Sequence, residues 1–315
     1  MSLHNTQQHT PDVYSIDNHC SLPSMNQYAK MLDSFTNQEN NISKAKSFLN
    51  LPNNDALNLD FDETKCPIGL FGTQDEHSKS HYNVSIERPF YISNIPITQK
   101  TWVALGFTNH SKNIGNHLPV ERITWVEAII FCNQLSLIKD LTPCYHFKKD
   151  CIFFDAHANG YRLPFELEWE YAAKANTKSI YSSTSDYYEI YPSYHPNKPR
   201  TTHDVKLNKP NAWGIYDMTG NVNEWCNDIY SVDMNDKILK DASKNSNVFQ
   251  FDIFEKTFSI MDLKKDITDL TLESMVIKGG SWYNSPSFSK ISTKHMQNAL
   301  HPSSMIGFRV ARTII

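Results

Sequence analysis

Long apolar runs are missing from this 315-residue chain. No stretch approaches the ~20 residues needed to cross a bilayer, so no membrane role is expected. Runs of lysine and arginine are missing too, and the formal net charge is only -4, which argues against nucleic acid as a partner. The first ten residues lack a basic start and an apolar centre. They do not read as a secretory signal, and a cytoplasmic location is the expectation. Cysteine is scarce: six residues are too few for a disulfide scaffold, and none form a Cys-x-x-Cys pair, so a structural zinc site is not expected. In a reducing compartment all six are expected to be thiols. No cysteine follows Cys226.

What remains suits one large domain with extensions. Residues 1–61 are rich in Asn, Gln, Ser and Asp and are expected to form a tail and a helical arm. Short helices are predicted over Ser24–Phe35 and Ser43–Leu49 from their apolar spacing. The main domain is expected over 62–315. Its early part reads as strands, His81–Ile86 and Phe90–Ile97, followed by a loop over 109–117. Thr124–Lys139 reads as a helix: Thr124 is a good N-cap, Glu127 is placed for a capping box, and Trp125, Ala128, Ile129, Cys132, Leu135 and Ile138 form one apolar face. Cys144–Phe147 and Cys151–Phe154 read as a hairpin in which Cys144 and Cys151 could lie opposite each other, with a disulfide only in an oxidising setting. A second helix is predicted over Pro164–Lys174, with Glu166, Glu168 and Glu170 complementing its N-terminal dipole. Residues 176–209 read as a polar loop with Tyr181, Tyr187, Tyr188, Tyr191 and Tyr194. Residues 231–274 form a long insertion whose apolar content points to a packed subelement.

The densest stretch is Pro210–Cys226. Gly214 and Gly220 permit backbone conformations that a β-carbon disfavours. Trp213, Tyr216 and Trp225 are large anchors. Asp217 and Glu224 sit among residues built for burial, and a buried carboxylate needs hydrogen bonds, a counter-ion or a cation. An all-oxygen set of this kind suits a hard cation such as Ca²⁺; backbone N–H groups could satisfy the same two carboxylates.

That stretch resembles the formylglycine-generating enzyme (sulfatase-modifying factor) family. So do, in the same order, Pro89–Gln99, Pro119–Trp125, Asn159–Ala173, Ile277–Trp282 and Gly307–Arg312, together spanning about residues 66–312. The resemblance implies an α+β, C-type-lectin-like fold with two principal helices and low regular structure. It places a structural calcium site on Asp217, Gly220, Val222 and Glu224; the ligand pattern of the family's first calcium site is not found. It also implies a Cu(I) site on two cysteines shortly after the Gly-Gly-Ser-aromatic motif, where soft thiolates suit the metal. Here that segment, Trp282–Lys290, has no cysteine, so copper and formylglycine generation by that mechanism are not expected. Lys290 and Lys294 stand where many relatives have arginine, Asn223 where an aromatic is usual, and Phe165 where threonine usually caps the second helix.

The groove thus implied is lined by Asn223, Ser281, Trp282, Tyr283, Asn284, Lys290, Lys294 and His295, with His301 nearby. This set can hydrogen-bond, stack and hold an anion. Ser281 reads as a turn residue rather than a nucleophile, and the histidines as surface residues. Two functions follow. One is a repurposed domain binding a peptide, glycan, small molecule or partner protein. The other is an oxidase-type enzyme acting on a peptide or small molecule through a different active site.

Overall fold

Thr124 opens the central helix, α2 (Trp125–Ile138), as its sequence predicts: its side chain accepts from Glu127 N while Glu127 Oε2 accepts from Thr124 N. The expected single apolar face becomes burial nearly all round, with only Glu127 and Gln134 short of full burial. A helix surrounded in this way must lie at the middle of its domain. Trp102 stacks on Phe131 at 5.5 Å, and Phe131 meets the edge of Phe308 at 5.2 Å. Trp125 Nε1 donates to the carbonyl of Cys226, 101 residues away.

The computed structural model describes residues 57, 59–74, 81–148, 151–182, 200–230, 248–251, 258–262 and 274–315. The expected helices in the arm, and Tyr187, Tyr188, Tyr191 and Tyr194, lie outside them. Three helices are present among the described residues. α1 (Gln99–Ala104) was not anticipated: the strand predicted over Phe90–Ile97 ends at Ser93, and six residues beyond Pro96 carry too little periodicity to announce a helix. Thr98 caps it and also donates to Asp60 Oδ2 at 2.6 Å. α3 (Glu166–Lys174) starts without a side-chain cap from Phe165. Two carboxylates substitute: Glu168 Oε2 accepts from Phe165 N at 2.9 Å, and Asp228 Oδ2 accepts from Glu166 N at 2.6 Å.

Among the described residues there are fourteen short strands: β1 (Glu63–Cys66), β2 (Gly69–Gln74), β3 (His81–Ile86), β4 (Phe90–Ser93), β5 (Tyr145–Lys148), β6 (Cys151–Phe154), β7 (Tyr161–Arg162), β8 (Asn223–Ile229), β9 (Val248–Phe251), β10 (Phe258–Asp262), β11 (Ser274–Lys278), β12 (Lys294–Asn298), β13 (Ile306–Gly307) and β14 (Ala311–Thr313). They form four small sheets ordered β1-β4-β14-β7, β12-β11-β8-β13, β2-β3-β9 and β10-β6-β5. The predicted hairpin is β5–β6, but its register sets Lys148, not Cys144, against Cys151. Cys144 is a buried free thiol directed at the carbonyl of Gly160. Inside the 231–274 insertion, β9 runs parallel to β3 and β10 antiparallel to β6, so the insertion extends two sheets of the domain.

Candidate functional site

The three glutamates of α3 do more than face a dipole: each meets a buried cation. Glu168 takes a two-pronged contact from Arg162, Nη1 to Oε2 at 2.6 Å and Nη2 to Oε1 at 2.7 Å. Glu170 accepts from Lys278 Nζ at 2.7 Å and from Thr73 Oγ1 at 2.6 Å. Glu166 lies 3.9 Å from Lys278 Nζ and 3.6 Å from Lys294 Nζ. Burial pushes the Glu166 carboxyl above its ordinary range despite both lysines. Burial alone would lower the Lys278 ammonium; Glu170 and Glu166 outweigh it and raise it instead.

Glu224, at the end of β8 nearest the groove, belongs to the same system. Its Oε2 accepts from Arg309 Nε at 2.6 Å and from Trp169 Nε1 at 2.7 Å, and its Oε1 accepts from Arg309 Nη2 at 2.8 Å. Both side chains of the pair are fully buried. Arg309 also donates to the carbonyls of Ser93 and Tyr216. The side chain expected to hold Ca²⁺ is thus the counter-ion of an arginine, and its carboxylate does not fit the ligand role that the resemblance implied. Asp217 does fit. It is buried in left-handed backbone (φ 56°), Oδ2 accepts from Lys206 N at 2.9 Å, and Oδ1 has no hydrogen-bond partner. Burial raises its pKa, opposed by His203, the Lys206 N–H and Arg309.

The groove is organised by carboxamides. Asn284 Oδ1 accepts from Ser281 N at 3.0 Å, Ser281 Oγ at 2.6 Å and Asn223 Nδ2 at 3.1 Å. Ser281 is therefore a turn residue, as expected. Asn223 Nδ2 also reaches Met305 O at 3.4 Å. Both its partners are acceptors, which fixes the orientation of the amide and leaves Oδ1 as a buried acceptor with no partner. Gly280 carries the turn at φ +70°, with Ser289 Oγ only 1.9 Å from where a β-carbon would stand. Trp282 is anchored by Nε1 donating to Ser304 O at 3.0 Å and meets Tyr283 edge-on at 5.6 Å.

Two cations that the sequence did not single out stand over these rings: Lys112 Nζ is 5.6 Å from the Trp282 centroid and Arg200 is 6.0 Å from that of Tyr283. Their spacing in the chain, 170 and 83 residues from the rings, offers no local signal. His295 stacks on Phe288 at 4.9 Å. Lys294 does not join the group. It pairs across from Lys278 and turns to Glu166 and Tyr230, whereas strand alternation puts His295 on the other face. Lys290 follows the 3₁₀ turn Pro286–Ser289 and is half-buried, and His301 is exposed.

Cys66, Cys132, Cys144 and Cys226 are buried free thiols. Burial pushes Cys144 up to about 12 and Cys132 and Cys226 well above the usual range. Such thiols behave as packing residues. Among the described residues no cluster of three or more His, Cys, Asp or Glu is placed to hold a metal, and no helix is long and apolar enough to cross a membrane.

Residues 65–314 match the sulfatase-modifying factor enzyme 1-like domain. The chain belongs to this family. Another protein similar to it is the chaperone protein LppX of Paenibacillus barcinonensis, 35% identical over 193 residues, covering 50% of this chain and 68% of LppX. Among solved structures, Treponema denticola variable protein 1 superposes with a TM-score of 0.62 at 26% identity, covering 81% of this chain and 95% of that one. CarF superposes at 0.58 and 22% identity, covering 82% and 100%, and shows the shared fold alone. This sulfatase-modifying-factor-like chain therefore has the family's C-type-lectin-like architecture, with few helices and many short strands.

Proposed function

We propose that this family member is a repurposed binding domain whose groove, built on Asn223, Ser281, Trp282, Tyr283 and Asn284, holds a peptide or a segment of a partner protein. The observation that carries the reading is the Asn223 carboxamide. Its donor side is committed to the scaffold, and its acceptor side is buried with nothing to accept from. A buried carbonyl in that state costs about 1–3 kcal/mol until a donor reaches it, and a ligand N–H or O–H would supply one as a small opening of the groove uncovers Oδ1. Exposed Tyr283 beside it offers a stacking and apolar surface. That LppX is described as a chaperone protein agrees with protein binding on this scaffold. Calcium at Asp217, with the carbonyls of Gly220 and Val222, is part of the same proposal and serves architecture, not chemistry.

The test is an array of peptides and glycans probed with the wild-type protein and with Tyr283→Ala. Binding that Tyr283→Ala abolishes without lowering the melting temperature supports the reading. Identical profiles for the two proteins, or copper-dependent oxygen uptake on cysteine peptides, would overturn it.

A further inference from the structure

Three segments separated in sequence meet around Trp282 and Tyr283. Val205 N donates to His117 O at 2.9 Å, joining residues 200–207 to 108–118. Asn221 joins both to the turn: its Oδ1 accepts from His203 N at 3.1 Å and its backbone carbonyl accepts from Trp282 N at 2.8 Å. Around the turn the described residues place Lys112, Arg122, Arg200, Lys206, Lys290 and Lys294 beside three acids: Asp204, Glu121, whose Oε1 accepts from Asn113 N at 3.0 Å, and Asp217, whose Oδ2 accepts from Lys206 N at 2.9 Å. Lys294 is neutralised by Glu166, as described above. Among the described residues the other five cations still outnumber the three acids, in a protein whose net charge is -4. Lys112, Arg200 and Lys206 are exposed, and each stands over an aromatic ring, of Trp282, Tyr283 and Tyr216 respectively. Ring contact limits the wandering of a long side chain, so these charges are partly positioned before a ligand arrives.

We infer that the occupant of the groove is an acidic peptide segment of a partner protein. This deepens the binding reading above and rests on it. Charge selects an anion. The unpartnered Asn223 Oδ1 can take a peptide N–H once the groove opens around it. Tyr283 is 54% exposed at the groove, and Leu207 at 65% and Ile114 at 73% are exposed on the two joined segments, an apolar surface that fits side chains better than a sugar-phosphate chain. The cations also stand singly over rings instead of forming the continuous track that a nucleic acid backbone requires.

The test uses the full chain and fluorescent peptides of matched length that are acidic, neutral or basic, each carrying one aromatic residue. The acidic peptide binds at least about tenfold more tightly than the basic one, and raising salt from about 50 mM to about 500 mM weakens it about tenfold. Lys112→Glu, at an exposed position that should leave folding intact, weakens it about tenfold, and a Glu→Lys change in the peptide recovers part of the loss. Equal binding of the acidic, neutral and basic peptides, abolished by Tyr283→Ala, would leave the groove in use and overturn the acidic preference. Tighter binding of heparin or single-stranded DNA than of any peptide, with the same Lys112→Glu sensitivity, would overturn the peptide assignment. No binding by any probe would overturn both.

Discussion

Glu224→Gln is the most informative single change. It is nearly isosteric, so packing around Trp169 is kept. What it removes is the negative charge that balances Arg309, whose guanidinium is fully buried and meets both carboxylate oxygens at 2.6 and 2.8 Å. Arg309 keeps its bonds to the carbonyls of Ser93 and Tyr216, but these are neutral acceptors. An uncompensated buried charge of this kind costs about 3–5 kcal/mol. In a domain of this size each kcal/mol lowers the melting temperature by about 2–4 °C, so a fall of about 6–20 °C is expected. Thermal melts and urea titrations, each with and without a calcium chelator, separate the two roles considered for Glu224. A counter-ion loses the same stability in both buffers. A loss confined to calcium-containing buffer would refute the ion-pair account and return Glu224 to the cation, and wild-type stability in the variant would refute both.

Other expectations follow from the same physics. Phe165→Thr restores the usual cap residue, yet Glu168 and Asp228 already accept the free N–H groups. Its gain is therefore under about 1 kcal/mol against about 2–4 kcal/mol of lost aromatic burial, and urea melts should show net destabilisation. Gly280→Ala drives a β-carbon into Ser289 in left-handed backbone, so peptide binding at Trp282 should fall even where the fold survives in near-ultraviolet circular dichroism. Glu121 is fully buried with Oε2 unpartnered, and burial raises its pKa against the N–H groups of Asn113 and Lys112. A raised carboxyl pKa means that stability is lost as pH climbs from the unfolded carboxyl range through the folded value. Glu121→Gln should therefore gain on wild type at neutral pH and lose that advantage in acid, measured by urea melts across pH.

The sequence made local features legible and left distant ones hidden. The Thr124–Glu127 box and the β5–β6 hairpin are written within a few residues of themselves. The roles of Glu166, Glu170 and Glu224 are not local, because Lys278 and Arg309 lie about a hundred residues downstream and only folding brings them together. A carboxylate in a segment of Trp, Gly and Val needs hydrogen bonds, a cation or a counter-ion, and Arg309 sits in an equally apolar motif. The place of Lys294 is hidden for a different reason. Without the pairing of β11 with β12, nothing tells which face of a strand a residue takes, and a shift of one residue reverses it. α1 is hidden because a short helix capped by Thr98 leaves almost no apolar repeat.

β14 lies between β4 and β7, although it is made long after both. On a ribosome adding roughly 5–20 residues per second, β4 would wait about 10–45 s for the neighbour that completes its sheet. Throughout that interval its backbone edge is open to strands of other chains, so the nascent protein is most vulnerable to aggregation late in synthesis. Slowing translation should lower its soluble yield, and supplying a holdase should restore it.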